Sequence, residues 1–391
     1  MIRIVEKSKC CGCEACVQIC PRHCISFEPD AEGFRYPKVD VKECVDCGAC
    51  ERVCPELNIK EKHLPKEVIA AYITDETVRE SSSSGGIFSL LANQVIDAGG
   101  VVFGVRFDDD WLAVFDCAET REQVVAFRGS KYLQARVDDS FIRCKKLLEE
   151  GRKVLFSGTP CQIAALHLFL AKPYDNLQTV DFVCHGVPSP MLWSMYLDEI
   201  VSPGCQSIRS ISFRDKRRGW KHFSPVINYT QEGKACSHDC SFWEDLYTKA
   251  FILNLTIRPS CYSCPAKGGR SQSDITIGDF WGINQVNPMM DDDGGTSLVM
   301  VHTDKDCEPL RKKSIKWVPA SYEDVLKYNP AFYKSCDKHP HREQFFSSIN
   351  KGKSLQDLIV LALRPTVLER VKSLTMSHLR IAKRLIKRLL N

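Results

Sequence analysis

The chain has 391 residues with 53 Lys/Arg against 49 Asp/Glu, and 44% of it is hydrophobic. At roughly 150 residues per domain this is two or three domains with ample length for buried cores, which excludes a disordered or collagen-like chain. A formal charge of +4 is too balanced to argue for nucleic acid, and the outlier is cysteine, with 21 residues. That is too dilute for a small disulfide scaffold and too rich for an ordinary enzyme.

The opening MIRIVEKSKCCGC lacks the apolar run and the small-residue site of a signal peptide. The sequence holds no apolar run of the roughly 18 residues that a membrane-spanning helix needs. The expectation is a cytoplasmic protein with reduced thiols, where dense cysteine serves metal or redox chemistry.

Cys10, Cys13, Cys16 and Cys20 form C-x2-C-x2-C-x3-C followed by Pro21, and Cys44, Cys47, Cys50 and Cys54 repeat it before Pro55. This doubled spacing predicts two [4Fe–4S] clusters, each held by the first three cysteines of one run and the fourth of the other. The expected sets are Cys10, Cys13, Cys16 and Cys54, and Cys44, Cys47, Cys50 and Cys20. Paired zinc knuckles would explain neither the third cysteine nor the proline. The segment resembles the bacterial-type two-cluster ferredoxin module over residues 1–60. Cys11 and Cys24 fall outside the pattern and read as small buried hydrophobes.

Residues 58–67 are polar and aperiodic, a linker. Beyond them AAYITD reads as a strand, and SSSSGG leads into the helical run IFSLLANQVIDA. VVFGVRF is a strand and FIRCKKLLEEG a helix. KVLFSGTPCQIAALHLFL and LQTVDFVCHGVPSPMLWSMYLDEI each read strand, turn, helix. The alternation predicts an α/β fold with a mostly parallel sheet. ISFRDKRRGWKHFSPVINYTQEGKA predicts antiparallel strands with a hairpin, inserted in that sheet or added to it.

The loops SSSSGG and SGTPC place Ser, Thr and Gly before helices, where amides and hydroxyls suit an anion such as phosphate; ordinary N-capping is the competing reading. Cys161, Cys184 and the pair Cys261/Cys264 occupy loops around the same predicted sheet edge. They leave three readings open: a third [4Fe–4S] cluster, a redox dithiol, or a nucleophile at Cys161. Cys236 and Cys240 with His238 form a further candidate metal group. The remaining cysteines share no pattern.

SSGG, RGSKY, GTPCQ, CHGVPS, FRDKRRGW and the CxxC before SDITIGDFWG together resemble the coenzyme F420 hydrogenase/dehydrogenase beta-subunit family, over roughly residues 65–310. An N-terminal two-cluster ferredoxin is a common arrangement there. The resemblance implies FAD, a third [4Fe–4S] cluster on Cys161, Cys184, Cys261 and Cys264, and hydride exchange with F420 or another acceptor. It implies FAD pyrophosphate near Ser83, Ser84, Gly85, Gly86, Gly158 and Thr159, with Lys131, Tyr132 and Asp279 as further flavin contacts. Arg214, Lys216, Arg217 and Arg218, beside Trp220 and His222, read either as a site for an anionic substrate or as a solvated loop.

From Arg364 onward the chain carries eight Lys/Arg and one Glu. Leu374, Ile381, Leu385 and Leu389 recur at helical spacing, a basic amphipathic helix suited to an anionic membrane surface, an acidic partner or the protein's own core. The expected domains are thus 1–60, a ferredoxin; 68–310, a flavin and iron–sulfur domain; and 311–391, a helical region.

The expected function is an iron–sulfur flavoprotein oxidoreductase. It exchanges electrons with a ferredoxin or reductase subunit and with a small-molecule redox substrate. His185 is the candidate proton donor. The alternative is a flavin-free iron–sulfur conduit feeding a separate reductase.

Overall fold

A computed structural model describes residues 1–201, 205–305, 308–311, 313–349 and 352–364. The predicted basic helix of the last 27 residues lies outside them. The chain divides into two units, 1–339 and 340–391.

The first unit opens with an antiparallel hairpin, β1 (Ile25–Pro29) and β2 (Arg35–Val39). The main sheet uses β3 (Glu67–Ile73), β4 (Val101–Phe107), β5 (Ala113–Ala118), β6 (Val154–Gly158), β7 (Leu177–Phe182), β11 (Ile275–Asp279), β12 (Ser297–Val301) and β13 (Ile315–Pro319). Its order is β13-β3-β12-β11-β7-β6-β4-β5. β8 (Cys205–Asp215), β9 (Ser224–Gln231) and β10 (Lys234–Asp239) form a separate three-stranded antiparallel sheet, and do not join the main one.

The expectation of a mostly parallel sheet is corrected. Parallel pairing joins β4, β6, β7 and β11 only. The pairs β4–β5, β11–β12, β12–β3 and β3–β13 are antiparallel. The reason is partly connection length. The five residues between β4 and β5 cannot make the crossover of a dozen or more residues that parallel strands need. β13 also places a strand, IKWVP, in the segment expected to be helical.

Both faces of the sheet are covered, which explains its long apolar runs. Along β3, Val68, Ala70 and Tyr72 enter one core with Trp220, Phe280 and Met300. Ile69 and Ala71 enter the opposite core with Ile87, Leu91, Val95, Leu155 and Val180. The helices that supply cover and loops are α1 (Ile87–Asp97), α2 (Ser140–Glu149), α3 (Pro160–Leu170), α4 (Pro190–Val201) and α5 (Leu246–Ile252).

In the second unit, α6 (Arg342–Ser348) and α7 (Leu355–Ala362) are described. The Ser354 side chain caps α7 by accepting from Asp357 N. Among the described residues no helix is long and apolar enough to cross a membrane.

His302, at the end of β12, is buried, and Thr276 Oγ1 lies 3.0 Å from its Nε2. Burial, then the neighbouring His63, holds its imidazole down at about 4. The unfolded chain therefore binds a proton that the folded chain does not, between about pH 6.5 and 4, so stability falls as pH falls through that window. From pH 7.5 to 5.5 the loss attributable to His302 is about 1 kcal/mol. Urea denaturation of His302→Gln at both pH values should show a pH sensitivity smaller by that amount; equal sensitivity would contradict this account.

Candidate cofactor site: three converging sets of cysteines

The first sixty residues fold around sulfur. Cys16, Cys20, Cys24 and Cys50 pack with Ile2 and Ile25 as the core of this segment. Cys54 is an electrostatic neighbour of the Cys10, Cys13 and Cys16 thiols; the Cys11 contact lowers Cys13, but burial leaves all four above the usual thiol range. A small cleft, open at its mouth, is lined by Cys20, Cys24, Cys44, Cys47 and Cys50. Cys54 thus faces the first triplet and Cys20 the second. Cys24 adds a fifth thiol there, 3.5 Å from Cys20. Cys47 is exposed, so the second set lies at the surface.

Cys161, Cys184, Cys261 and Cys264 line a second small cavity, with Cys11, Thr159, His185 and Lys267. Adjacent parallel strands bring the first two together, since β6 ends at Gly158 and β7 at Phe182. The other two arrive through an antiparallel bridge between Pro188 and Ile257, extended by Arg258 N donating to Val187 O at 3.0 Å. Burial pushes the thiols of Cys184 and Cys264 up to about 12, with neighbouring thiols acting in the same direction. Lys267 is buried and donates to Cys184 O at 2.5 Å and Ala331 O at 2.7 Å, which places an ammonium beside the thiols. His185 Nε2 is buried without a hydrogen-bond partner, and burial lowers the imidazole's proton affinity. The Cys336 thiol donates to His185 O at 3.6 Å.

The N-terminal segment is seated on this cavity by polar contacts. Gln18 Oε1 accepts from Phe141 N at 2.9 Å, at the start of α2. Glu14 Oε2 accepts from Asp138 N at 3.0 Å, and Ser189 Oγ donates to Glu32 O at 2.6 Å. Cys11, read from sequence as a small hydrophobe, has its thiol beside those of both Cys13 and Cys161. It stands between the first cysteine set and the third. Arg258, Lys267 and Cys11 carry no spacing signal, and sequence reasoning passed over their roles.

The predicted flavin contacts separate into two places. Gly158 and Thr159 adjoin the cysteine cavity. The Thr159 hydroxyl donates to Gln162 Oε1 at 2.9 Å and lies 3.2 Å from Cys161 Sγ, inside a capping box that starts α3. Ser83 instead accepts from Ser130 N at 2.7 Å, beside Lys131 and Tyr132. Gly85 is packed so closely that a Cβ would lie 2.5 Å from Ala71 O.

Lys216 Nζ donates to the carbonyls of Arg79, Ser84 and Gly294. Lys131 Nζ donates to those of Ala126, Arg128 and Gly129. Asp279 binds the buried Arg214 at 2.6 Å and accepts from Trp220 Nε1 at 2.8 Å. Of the basic cluster, Arg217 and Arg218 both pair with Asp239. Ser84 Oγ and Arg214 Nε are buried without partners.

The family model for the N-terminal part of the coenzyme F420 hydrogenase/dehydrogenase beta subunit matches residues 68–140, and that for its C terminus matches 151–315. The model of a 4Fe-4S dicluster domain matches 9–58. A chain of the F420-reducing [NiFe] hydrogenase complex from Methanosarcina barkeri is similar at 16% identity and a TM-score of 0.46, covering 75% of this chain and 96% of that one. Among curated proteins nothing matches.

Gly12 sits at the contact between the N-terminal segment and the cavity, with φ +71; a Cβ there would lie 2.2 Å from Gln134 Nε2 and 2.9 Å from Arg258 Nη1. Gly12→Ala should therefore cost about 1–2 kcal/mol of left-handed backbone strain and displace the ends of the Gln134 and Arg258 side chains. The expected readout is a lower urea midpoint with faster proteolytic cleavage in the 58–66 linker. An unchanged midpoint and cleavage rate would mean that the two parts are not held at this point.

Proposed function

Because this chain belongs to the coenzyme F420 hydrogenase/dehydrogenase beta-subunit family and carries a 4Fe-4S dicluster segment, we propose that it is an iron–sulfur flavoprotein oxidoreductase. Its partners on this reading are an electron-carrying protein, a ferredoxin or a reductase subunit, and a small-molecule hydride acceptor, F420 or a relative of it. The observation that carries the reading is the convergence of Cys161, Cys184, Cys261 and Cys264 on one cavity beneath the dicluster segment.

When bound, [4Fe–4S] clusters carry single electrons, and a flavin converts these to hydride chemistry. The residues of this chain fit the clusters. Buried thiols that burial keeps neutral become good ligands once a cationic metal centre offsets their charge. Cys10, Cys13, Cys16 and Cys54 would hold one cluster, Cys44, Cys47, Cys50 and Cys20 the second, and the four cavity thiols the third. Lys267 supplies a fixed positive charge beside the third set, and the loop around Cys11 helps to enclose it.

For a flavin, the residues offered are Ser83, Ser84, Lys131 and Tyr132, beside Arg214, Lys216 and Asp279. The orphan Ser84 hydroxyl and Arg214 Nε–H are the donors left for a ligand. His185 is the group available to hold a proton near the third set.

One observation favours the conduit reading: both lysines of the flavin region are already occupied by three carbonyls each. A visible spectrum and metal analysis of anaerobically purified protein separate the two. Flavin bands with about twelve irons support the oxidoreductase. Iron–sulfur absorbance without flavin supports the conduit. Cys184→Ala should lose about four irons and keep the other eight or so; full iron retention would remove the third site from this account.

A further inference from the structure

Arg258 lies in the segment that joins the dicluster part to the third cysteine set. Its side chain is 0% exposed. Nε donates to Cys10 O at 2.7 Å, Nη1 to Gln134 Oε1 at 2.8 Å, and Nη2 to Arg35 O at 3.0 Å and Cys10 Sγ at 3.5 Å. The guanidinium lies 4.3 Å from the centre of the Tyr36 ring and 5.5 Å from that of Phe34. Three residues on, Cys261 N donates back to Arg258 O at 3.0 Å.

Among the described residues no carboxylate forms an ion pair with this group. Glu56 lies within electrostatic reach of it without pairing, and neutral carbonyls and aromatic faces offset only part of the cost of burying this cation. The one hydrogen-bonded partner able to become anionic is the Cys10 sulfur, which does so when it ligates metal.

We infer that Arg258 is the fixed counter-charge of the first cluster site and that it raises the reduction potential of that site. Reduction adds negative charge, and a buried cation with an N–H aimed at sulfur stabilises the reduced form. The second set, with Cys47 exposed, has the Ile2 amide on Cys50 Sγ at 3.3 Å and the exposed Arg52 on Cys47 O, but among the described residues no buried cation reaches its sulfurs. Electrons entering at the surface set would therefore settle on the first, whose neighbour Cys11 lies beside Cys161. The inference rests on the cluster reading proposed above, for which Arg258 acts as a positioning and tuning residue.

The test is an EPR-monitored redox titration of the full-length, anaerobically reconstituted protein with Arg258→Met and Arg258→Lys. In Arg258→Met one cluster's midpoint should fall, with its reduced-to-oxidised ratio at fixed potential lowered about ten-fold, 59 mV for one electron. The surface cluster's midpoint should stay in place, the third should move less than the first although Cys261 is also within electrostatic reach of Arg258, and the iron content should not change. Arg258→Lys keeps the charge and loses the planar fork, so it should recover part of the shift; it also decides the matter if the methionine variant fails to fold. Unmoved midpoints, or equal shifts in all clusters, would overturn the inference. A Cys10→Ala variant with full iron content would instead overturn the underlying cluster reading.

An independent cluster lies on the small sheet. His238 of β10, Cys240 just after it and Asp245, which caps α5, bring one donor atom each to within 4.8 Å of one another. His238 Nε2 is 3.6 Å from Cys240 Sγ and 3.7 Å from Asp245 Oδ2. Tetrahedral zinc, with Zn–N about 2.0 Å and Zn–S about 2.3 Å, separates neighbouring donors by about 3.5 Å. Asp245 is buried, and its other oxygen accepts from Thr248 N at 2.6 Å, which orients the carboxylate. Tyr196 of α4 hydrogen-bonds Asp245 and lies 3.2 Å from His238 Nε2.

The geometry points to a divalent, zinc-class cation site with three protein ligands and a fourth position for water, tying β10 to α4 and α5. With the iron sites filled, the wild type should retain one zinc per chain through anaerobic gel filtration after incubation with zinc chloride. His238→Ala and Cys240→Ala should each lose it with iron unchanged. No zinc in the wild type, or equal zinc in all three proteins, would overturn the proposal.

Discussion

Thiols occupy the interior of the first sixty residues where a segment of that size would ordinarily bury leucine and isoleucine. A domain so small makes too little apolar core to hold itself together, and metal is one of the few substitutes. Burial raises these thiols above their usual range because isolated thiolates are poorly solvated there. The same desolvation favours any centre that gathers the sulfurs around positive charge. The rest of the unit is arranged around that requirement. Lys267 brings an ammonium to the third set, and Arg258 brings a guanidinium to the first.

The main sheet contributes position rather than chemistry. Its parallel centre places the loops after β6 and β7 side by side, and the bridge between Pro188 and Ile257 draws the remaining cysteine pair to them. Gln18, Glu14 and Ser189 then fix the N-terminal segment over that place. Each contact pairs a side chain with a backbone group across more than a hundred residues of chain. This is how a linker without regular structure still yields a defined junction.

The legible parts of the sequence were those whose signal is local. The doubled cysteine spacing, the buried runs of β3 and β4, and the strand–turn–helix pattern around Cys161 each depend on neighbours a few residues away. The parallel or antiparallel sense of the outer strands was less legible, because partner choice depends on where the chain returns. β13 falls in the segment expected to be helical, and only the fold shows that it completes the edge beside β3. Thr159 is instructive in another way. Its position before a helix suits phosphate or a cap equally well, and in the fold its hydroxyl donates to Gln162 Oε1.

By itself the sequence determined that this protein gathers cysteine into a dicluster segment, builds an α/β body behind it, and resembles the family to which it belongs. Those properties follow from periodicity, turn chemistry and ligand spacing, which act over one or two turns of chain. Only the tertiary structure decided that Cys11 stands between two cysteine sets, that Arg258 reaches the Cys10 sulfur, and that His238, Cys240 and Asp245 converge. Such contacts are matters of burial and counter-charge between distant segments, and a desolvated charge declares its partner only once the chain has closed around it.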